Sequence, residues 1–158
     1  MNDVTLEQLA ALSDNLNKAS DALSNQIALV EEALNSLKLG VWASVEISRY
    51  TDDESFTVNG SPEPATCIER LAYGKRRGKW GLLYSLDYPE FPEPEFDSVV
   101  FLRDAPRMER MAAVDKIPDL IRELERKSRE VTQKASEQAT KVGAVAAALR
   151  KAGTKRDR

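Results

Sequence analysis

The chain has 158 residues, a formal net charge of −3, one cysteine and no histidine. That length fits one domain, or one domain with a stalk. Without histidine there is no Ser-His-Asp or Cys-His nucleophile pair, no imidazole base and no histidine-ligated zinc, and a lone thiolate builds no zinc site within one chain. No G-x-x-x-x-G-K-[ST] or G-x-G-x-x-G phosphate loop occurs. Chemistry would fall to carboxylates, Lys, Arg or Tyr, so the chain is expected not to be an enzyme and to need no cofactor. It starts without a basic, apolar leader and has no apolar run near the ~20 residues that span a bilayer. A cytoplasmic setting away from membranes is therefore expected.

Residues 3–39 read as a helical arm. Leu9, Leu16, Leu23, Val30 and Leu37 recur every seven residues, each preceded three residues earlier by Leu6, Ser13, Ser20, Ile27 or Leu34. This four–three alternation keeps one seam facing a partner. No proline occurs from Asn2 to Gly40, and Gly40 suits the stop. Leu12, Ala19, Ala22 and Ala33 widen the stripe beyond a two-stranded seam, which suits a bundle.

Residues 41–103 read as an antiparallel sheet. Val41, Ala43, Val45 and Ile47 alternate with Trp42, Ser44, Glu46 and Ser48, the period of a half-buried strand. Thr51 to Pro64 reads as a loop with a brief strand at Phe56–Val58, ended by Asn59-Gly60. Residues 66–74 and 79–86 read as a hairpin around a glycine-bounded turn from Gly74 to Lys79. Gly78-Lys79-Trp80-Gly81-Leu82 resembles the hairpin unit of bacterial repeat proteins with a Trp-Gly signature. The resemblance covers one hairpin and implies no function. Asp87 to Asp97 is an acidic, proline-rich connector, and Ser98 to Leu102 a last strand. The four strands predict a meander with one face on helix and one open to water.

Residues 105–151 read as a second arm, before a disordered tail at 152–158. Ile117, Ile121, Leu124, Ser128, Val131, Ala135, Gln138, Val142, Val145 and Leu149 repeat the seam. Glu123–Lys127, Glu125–Arg129, Glu130–Lys134 and Glu137–Lys141 are spaced for exposed pairs. The arm starts either at Pro118 with Asp115 as cap, or earlier at Pro106 with Asp104 as cap and a kink at Pro118.

Residues 1–40 carry six acidic and two basic side chains, net −4, and residues 106–158 carry eight acidic and fourteen basic, net +6. Opposite charge beside two apolar seams favours pairing the arms with each other. The expected fold class is α+β, with the arms paired as an antiparallel coiled-coil hairpin. In it the small run Val142–Ala148 faces Leu6, Leu9 and Leu12, and Ser20 lies near Gln138. The expected assembly is a homodimer with a four-helix bundle; the rival is a monomer with its sheet along the hairpin.

Two surfaces are candidates for binding. Lys75, Arg76, Arg77 and Lys79, flanked by Tyr73 and Trp80 and extended by Arg49 and Tyr50, have the composition of a site for an anion, a nucleotide or a short nucleic acid. Alternatively the basic turn is a solvated hairpin tip. Asp52, Asp53 and Glu54 offer oxygen ligands but match no calcium loop. Tyr88, Phe91 and Phe96 in the connector either dock on a partner or fold back over the sheet edge. Cys67 reads as a small core residue, and Trp42 as a lid on a helix or an exposed contact. The leading expectation is an interaction protein, a small adaptor or inhibitor, that recognises an unidentified protein through its sheet and loops. Binding of an anionic ligand at the basic turn is the alternative.

Overall fold

The structure, a computed structural model, describes residues 3–53, 56–58, 60–92 and 98–154. The N-terminal arm is one helix, α1 (Asp3–Ser36). Its end is tightened by bonds from Leu37 N–H to Leu34 O and from Lys38 N–H to Asn35 O, both 3.2 Å. Lys38 and Gly40 then take left-handed φ values of 49° and 62° and turn the chain toward the sheet.

The strands follow as β1 (Ala43–Asp52), β2 (Thr57–Val58), β3 (Ser61–Pro62), β4 (Ala65–Arg76), β5 (Lys79–Asp87) and β6 (Ser98–Phe101). β1, β4, β5 and β6 form a four-stranded antiparallel sheet in that order, and β2 and β3 pair separately within the β1–β4 connection. With helices at both ends of the chain, the fold is α+β. The β4–β5 turn is shorter than the sequence predicts, because the ladder continues through Gly74↔Gly81, Lys75↔Trp80 and Arg76↔Lys79. Only Arg77 and Gly78 remain, at φ 48° and 81°, the left-handed pair that a two-residue hairpin of matching twist requires.

A 3₁₀ turn (Leu102–Asp104) leads to α2 (Arg107–Val114) and α3 (Ile117–Thr154). Asp104 is not the cap: it lies in the 3₁₀ turn, and Pro106 occupies the cap position of α2 without a side-chain bond. Asp115 closes α2, and Pro118 is the second residue of α3, where its missing N–H has no helical acceptor to lose. The second arm thus takes the earlier start and breaks into two helices before Pro118; Asp115 ends the first and does not cap the second as expected. Residues 152–154 continue α3, and 155–158 lie outside the described residues.

One sheet face carries Ala43, Val45, Leu71, Tyr73, Leu82 and Tyr84 against Ile27 and Leu34 of α1, Ala113 of α2, and Leu120 and Leu124 of α3. α1 lies over β5, while α3 lies over β1 and β4. The ladder of β1 shifts at Ile47, between Glu46↔Arg70 and Ser48↔Glu69. That bulge moves Arg49 to the face opposite Val45, which strict alternation would not do.

α1 also completes an edge. β6 reaches along β5 only to Leu83, leaving the β5 backbone beyond it without a strand. There the Glu31 carboxylate accepts from Leu82 N–H at 2.8 Å, and Asn35 Nδ2 donates to Trp80 O at 3.2 Å. Two side chains one helical turn apart replace the missing strand. Gly81 makes room for this, since a Cβ there would lie 2.6 Å from the Glu31 carboxylate.

Within one chain the arms do not form the expected hairpin. The contacts step the same way on both. Arg107 donates to Asn17, Arg110 to Ser20 and Ser24, and Leu34, Leu37 and Leu39 share a groove with Ile121–Gln133. α2 and α3 therefore run alongside α1 in its own direction. Residues 5–19 of α1 and 129–153 of α3 are exposed on every side. Ser20 does not meet Gln138; it is buried beneath the Arg110 guanidinium, 2.6 Å from its hydroxyl.

Candidate functional site

The basic residues lie at the tip of the β4–β5 hairpin. Lys75, Arg77 and Lys79 are exposed and Arg76 is half-buried. Among the described residues none of the four forms an ion pair. The pleat divides them: Lys75 shares the helix-facing side with Trp80, and Arg76 pairs with Lys79 on the other side.

Tyr73 is buried, stacks on Trp80 with ring centroids 5.4 Å apart, and donates its hydroxyl to Asn35 Oδ1 at 2.7 Å. It is a wall and not a stacking platform. Trp80 and Tyr73 line a cleft of about 310 Å³ with Asn35, Lys38 and Gly40, directly below the tip. Sequence reading missed Lys38 and Asn35. The signal was the helix stop at Gly40, which folds the end of α1 back beside the hairpin.

Arg49 is not part of this surface. It pairs with Ile68, eight residues along β4 from Arg76, or roughly 26 Å at about 3.3 Å per residue. Its guanidinium is held by Glu46 at 2.9 Å, and that hydrogen bond is the main cause of the lowered Glu46 pKa. Tyr50, opposite Cys67, lies at the same distant end.

The uncovered sheet face holds a second concavity, about 350 Å³, lined by Trp42, Ser44, Arg70, Ala72, Leu83, Ser85, Asp87 and Val99. Trp42 is 52 % exposed, so it is the exposed contact of the two readings. It lies across Gly74, where a Cβ would meet the indole at 2.4 Å, and Lys127 of α3 sits 5.3 Å from its ring centre. Gly74 is thus no turn residue; it seats the tryptophan. Arg70 and Asp87, 2.7 Å apart, border the groove.

The bare arms form the third surface. Leu6, Leu9, Leu12 and Leu16 are 49–62 % exposed, and Val142, Val145 and Leu149 58–67 %. An apolar groove of about 650 Å³ at the root of the α3 arm is lined by Leu34, Leu37, Leu39, Ile121, Leu124 and residues out to Gln133. Of the four spaced charge pairs, Glu125–Arg129 forms at 2.6 Å, whereas Glu123 and Glu130 both take Arg126 and Lys127 turns to Trp42.

The connector aromatics fold inward. Phe56 stacks on Phe91 at 4.1 Å and meets Tyr88 edge-on at 4.7 Å, while Phe96 lies outside the described residues. Cys67 is fully buried, as a core residue would be. Asp52 accepts from Tyr88 Oη at 3.4 Å, and Glu54 lies outside the described residues. Among the described residues no group of three or more His, Cys, Asp or Glu side chains is arranged to hold a metal, and no helix is long and apolar enough to cross a membrane. Compared with known proteins, the chain matches no family model, no curated protein and no solved structure.

Proposed function

We propose that the protein is a non-enzymatic interaction protein, an adaptor or inhibitor. Its helical arms hold two copies together, and its open sheet face meets a protein partner in a cytoplasmic setting. The observation that carries this reading is the apolar seam left uncovered on both arms, its leucines and valines 49–67 % exposed. Contiguous apolar surface of this kind on a soluble chain marks an interaction site. The groove around Trp42 supports the second half of the reading, since a half-exposed indole beside small apolar residues and an ion pair has the make-up of an interface anchor.

A second reading is supported by the cluster of Lys75, Arg76, Arg77 and Lys79, unpaired among the described residues beside the Trp80 cleft. There the ligand is a nucleotide or short nucleic acid, and its affinity falls steeply with salt.

One pair of variants separates the two. Trp42→Ala is expected to weaken capture of the protein partner at least tenfold, while charge reversal of Lys75, Arg76 and Arg77 to Glu leaves it unchanged. The opposite pattern, with loss of nucleotide or oligonucleotide binding in the charge-reversed protein, moves the function to the hairpin tip. Native mass spectrometry of the wild type reads the copy number.

A further inference from the structure

We infer that two copies of the chain exchange arms, the exposed part of α1 in one copy lying antiparallel along the exposed part of α3 in the other. This inference rests on the proposed self-association and specifies its geometry. Four observations carry it.

The first is direction. Since α2 and α3 run alongside α1 in the same sense, the bare segment of α1 leaves one end of the body and the bare segment of α3 leaves the other. A chain cannot bring its own two arms together without unpacking α1 from β5. A second copy related by a two-fold axis across the helices reverses both directions. Its α3 arm then lies beside the first copy's α1 arm, antiparallel, and the reciprocal contact forms by symmetry.

The second is charge. The uncovered part of α1, residues 5–19, holds Glu7 and Asp14 against Lys18. The uncovered part of α3, residues 129–153, holds Arg129, Lys134, Lys141, Arg150 and Lys151 against Glu130 and Glu137. Pairing α1 with α1 or α3 with α3 would set like charges beside the seam; the exchange sets unlike ones there.

The third is size. In the exchange Leu6, Leu9 and Leu12 face the run Val142-Gly143-Ala144-Val145-Ala146-Ala147-Ala148, large residues against small. Two α1 arms together would crowd leucine on leucine, and two α3 arms would leave a thin seam.

The fourth is continuity. Ile121, Leu124 and Ser128 are seam positions of α3 and also line the groove against Leu34, Leu37 and Leu39. The apolar stripe therefore runs unbroken from the arm into the body, so the partner helix has a continuous track and the groove is covered at its end.

Disulfide connectivity tests the exchange. With Cys67 replaced by alanine, the chain carrying both Leu9→Cys and Val145→Cys is expected to oxidise to a covalent dimer. The same chain carrying Leu9→Cys alone, or Val145→Cys alone, is expected to stay uncrosslinked. A covalent dimer from either single variant means that like arms pair, which overturns the exchange while leaving self-association intact. An internally crosslinked monomer from the double variant restores the hairpin within one chain and also overturns it. A wild type that remains monomeric by native mass spectrometry at every concentration removes self-association and the exchange together. Should the alanine at position 67 unfold the chain, the buried native cysteine is retained and a short bismaleimide, reactive only at exposed thiols, replaces oxidation with the same outcomes.

Discussion

From Ser20 to Leu34, α1 buries Ser20, Ile27 and Leu34 against α2 and the sheet, whereas residues 5–19 of the same helix, with the same seven-residue spacing, bury nothing within the chain. α3 divides likewise: Leu120 and Leu124 are in the core, and everything from Arg129 to Gly153 is exposed. A heptad therefore specifies a continuous face and leaves open what covers it. One stripe serves two partners in succession, first the chain's own sheet and then another surface. The balance between them is measurable, because contacts within a chain are independent of concentration and contacts between chains are not.

The largest expected effect lies in the packed half. Leu71→Ala or Leu124→Ala, at positions 0 % and 2 % exposed, should cost about 2–5 kcal/mol of unfolding free energy at any protein concentration. Leu9→Ala should cost within about 0.5 kcal/mol in dilute solution, where the arm is bare, and more as concentration rises. Urea unfolding at two concentrations reads both. Equal effects of Leu9→Ala at the two concentrations would break the comparison.

A smaller effect belongs to the α1–β5 edge. Glu31→Ala should cost about 1–3 kcal/mol, because it leaves the fully buried Leu82 without an acceptor for its N–H. Gly81→Ala displaces the same carboxylate, so the double variant should cost less than the two single costs added. Faster hydrogen exchange at the Leu82 amide in both single variants, with the arm residues unchanged, would confine the damage to the packed half.

The smallest effect is a pH dependence. Burial first, then the hydroxyl's bond to Glu69 at 2.5 Å, raises the pKa of Tyr84. The folded chain holds that proton more tightly than the unfolded one. The resulting stability is complete below the unfolded phenol pKa of roughly 10 and is lost as pH rises above it. Tyr84→Phe should therefore lie below the wild type in urea midpoint at neutral pH, with the gap narrowing above pH ~10. A gap that widens would reverse the assigned sign.

The α+β class, the two helices and the β1–β4–β5–β6 meander were legible from periodicity: the alternation of Val41–Ser48 and the seven-residue steps of the arms point to their elements directly. The β2–β3 hairpin was half legible, through Phe56–Val58 and the Asn-Gly pair. Direction was not legible, since a helical repeat reads the same whichever way its neighbour runs. The three contacts that fix it, Arg107–Asn17, Arg110–Ser20 and Leu34 beside Leu124, join segments about ninety residues apart in sequence. At the basic tip, Lys75, Arg76, Arg77 and Lys79 are neighbours in the chain itself; the company they keep was not legible. A bulge at Ile47 and the length of β4 put Arg49 elsewhere, and Tyr73 alternates inward. Gly74 looked like turn punctuation and Gly81 like an ordinary strand position; they are paired across the ladder, where Gly74 admits Trp42 and Gly81 admits Glu31.

The Glu31 carboxylate has a further consequence for how the sheet ends. An open strand edge templates the next strand because each N–H and C=O it presents can be matched by another backbone. A carboxylate accepts a hydrogen bond and donates none, and it belongs to a helix whose own backbone is already spent on its internal ladder. With Glu31 and Asn35 seated on Leu82 and Trp80, the stretch of β5 beyond β6 meets a terminator instead of a template, and a negatively charged one. That stretch of β5 is thereby closed to strand addition, in the same molecule that leaves its helices open for company.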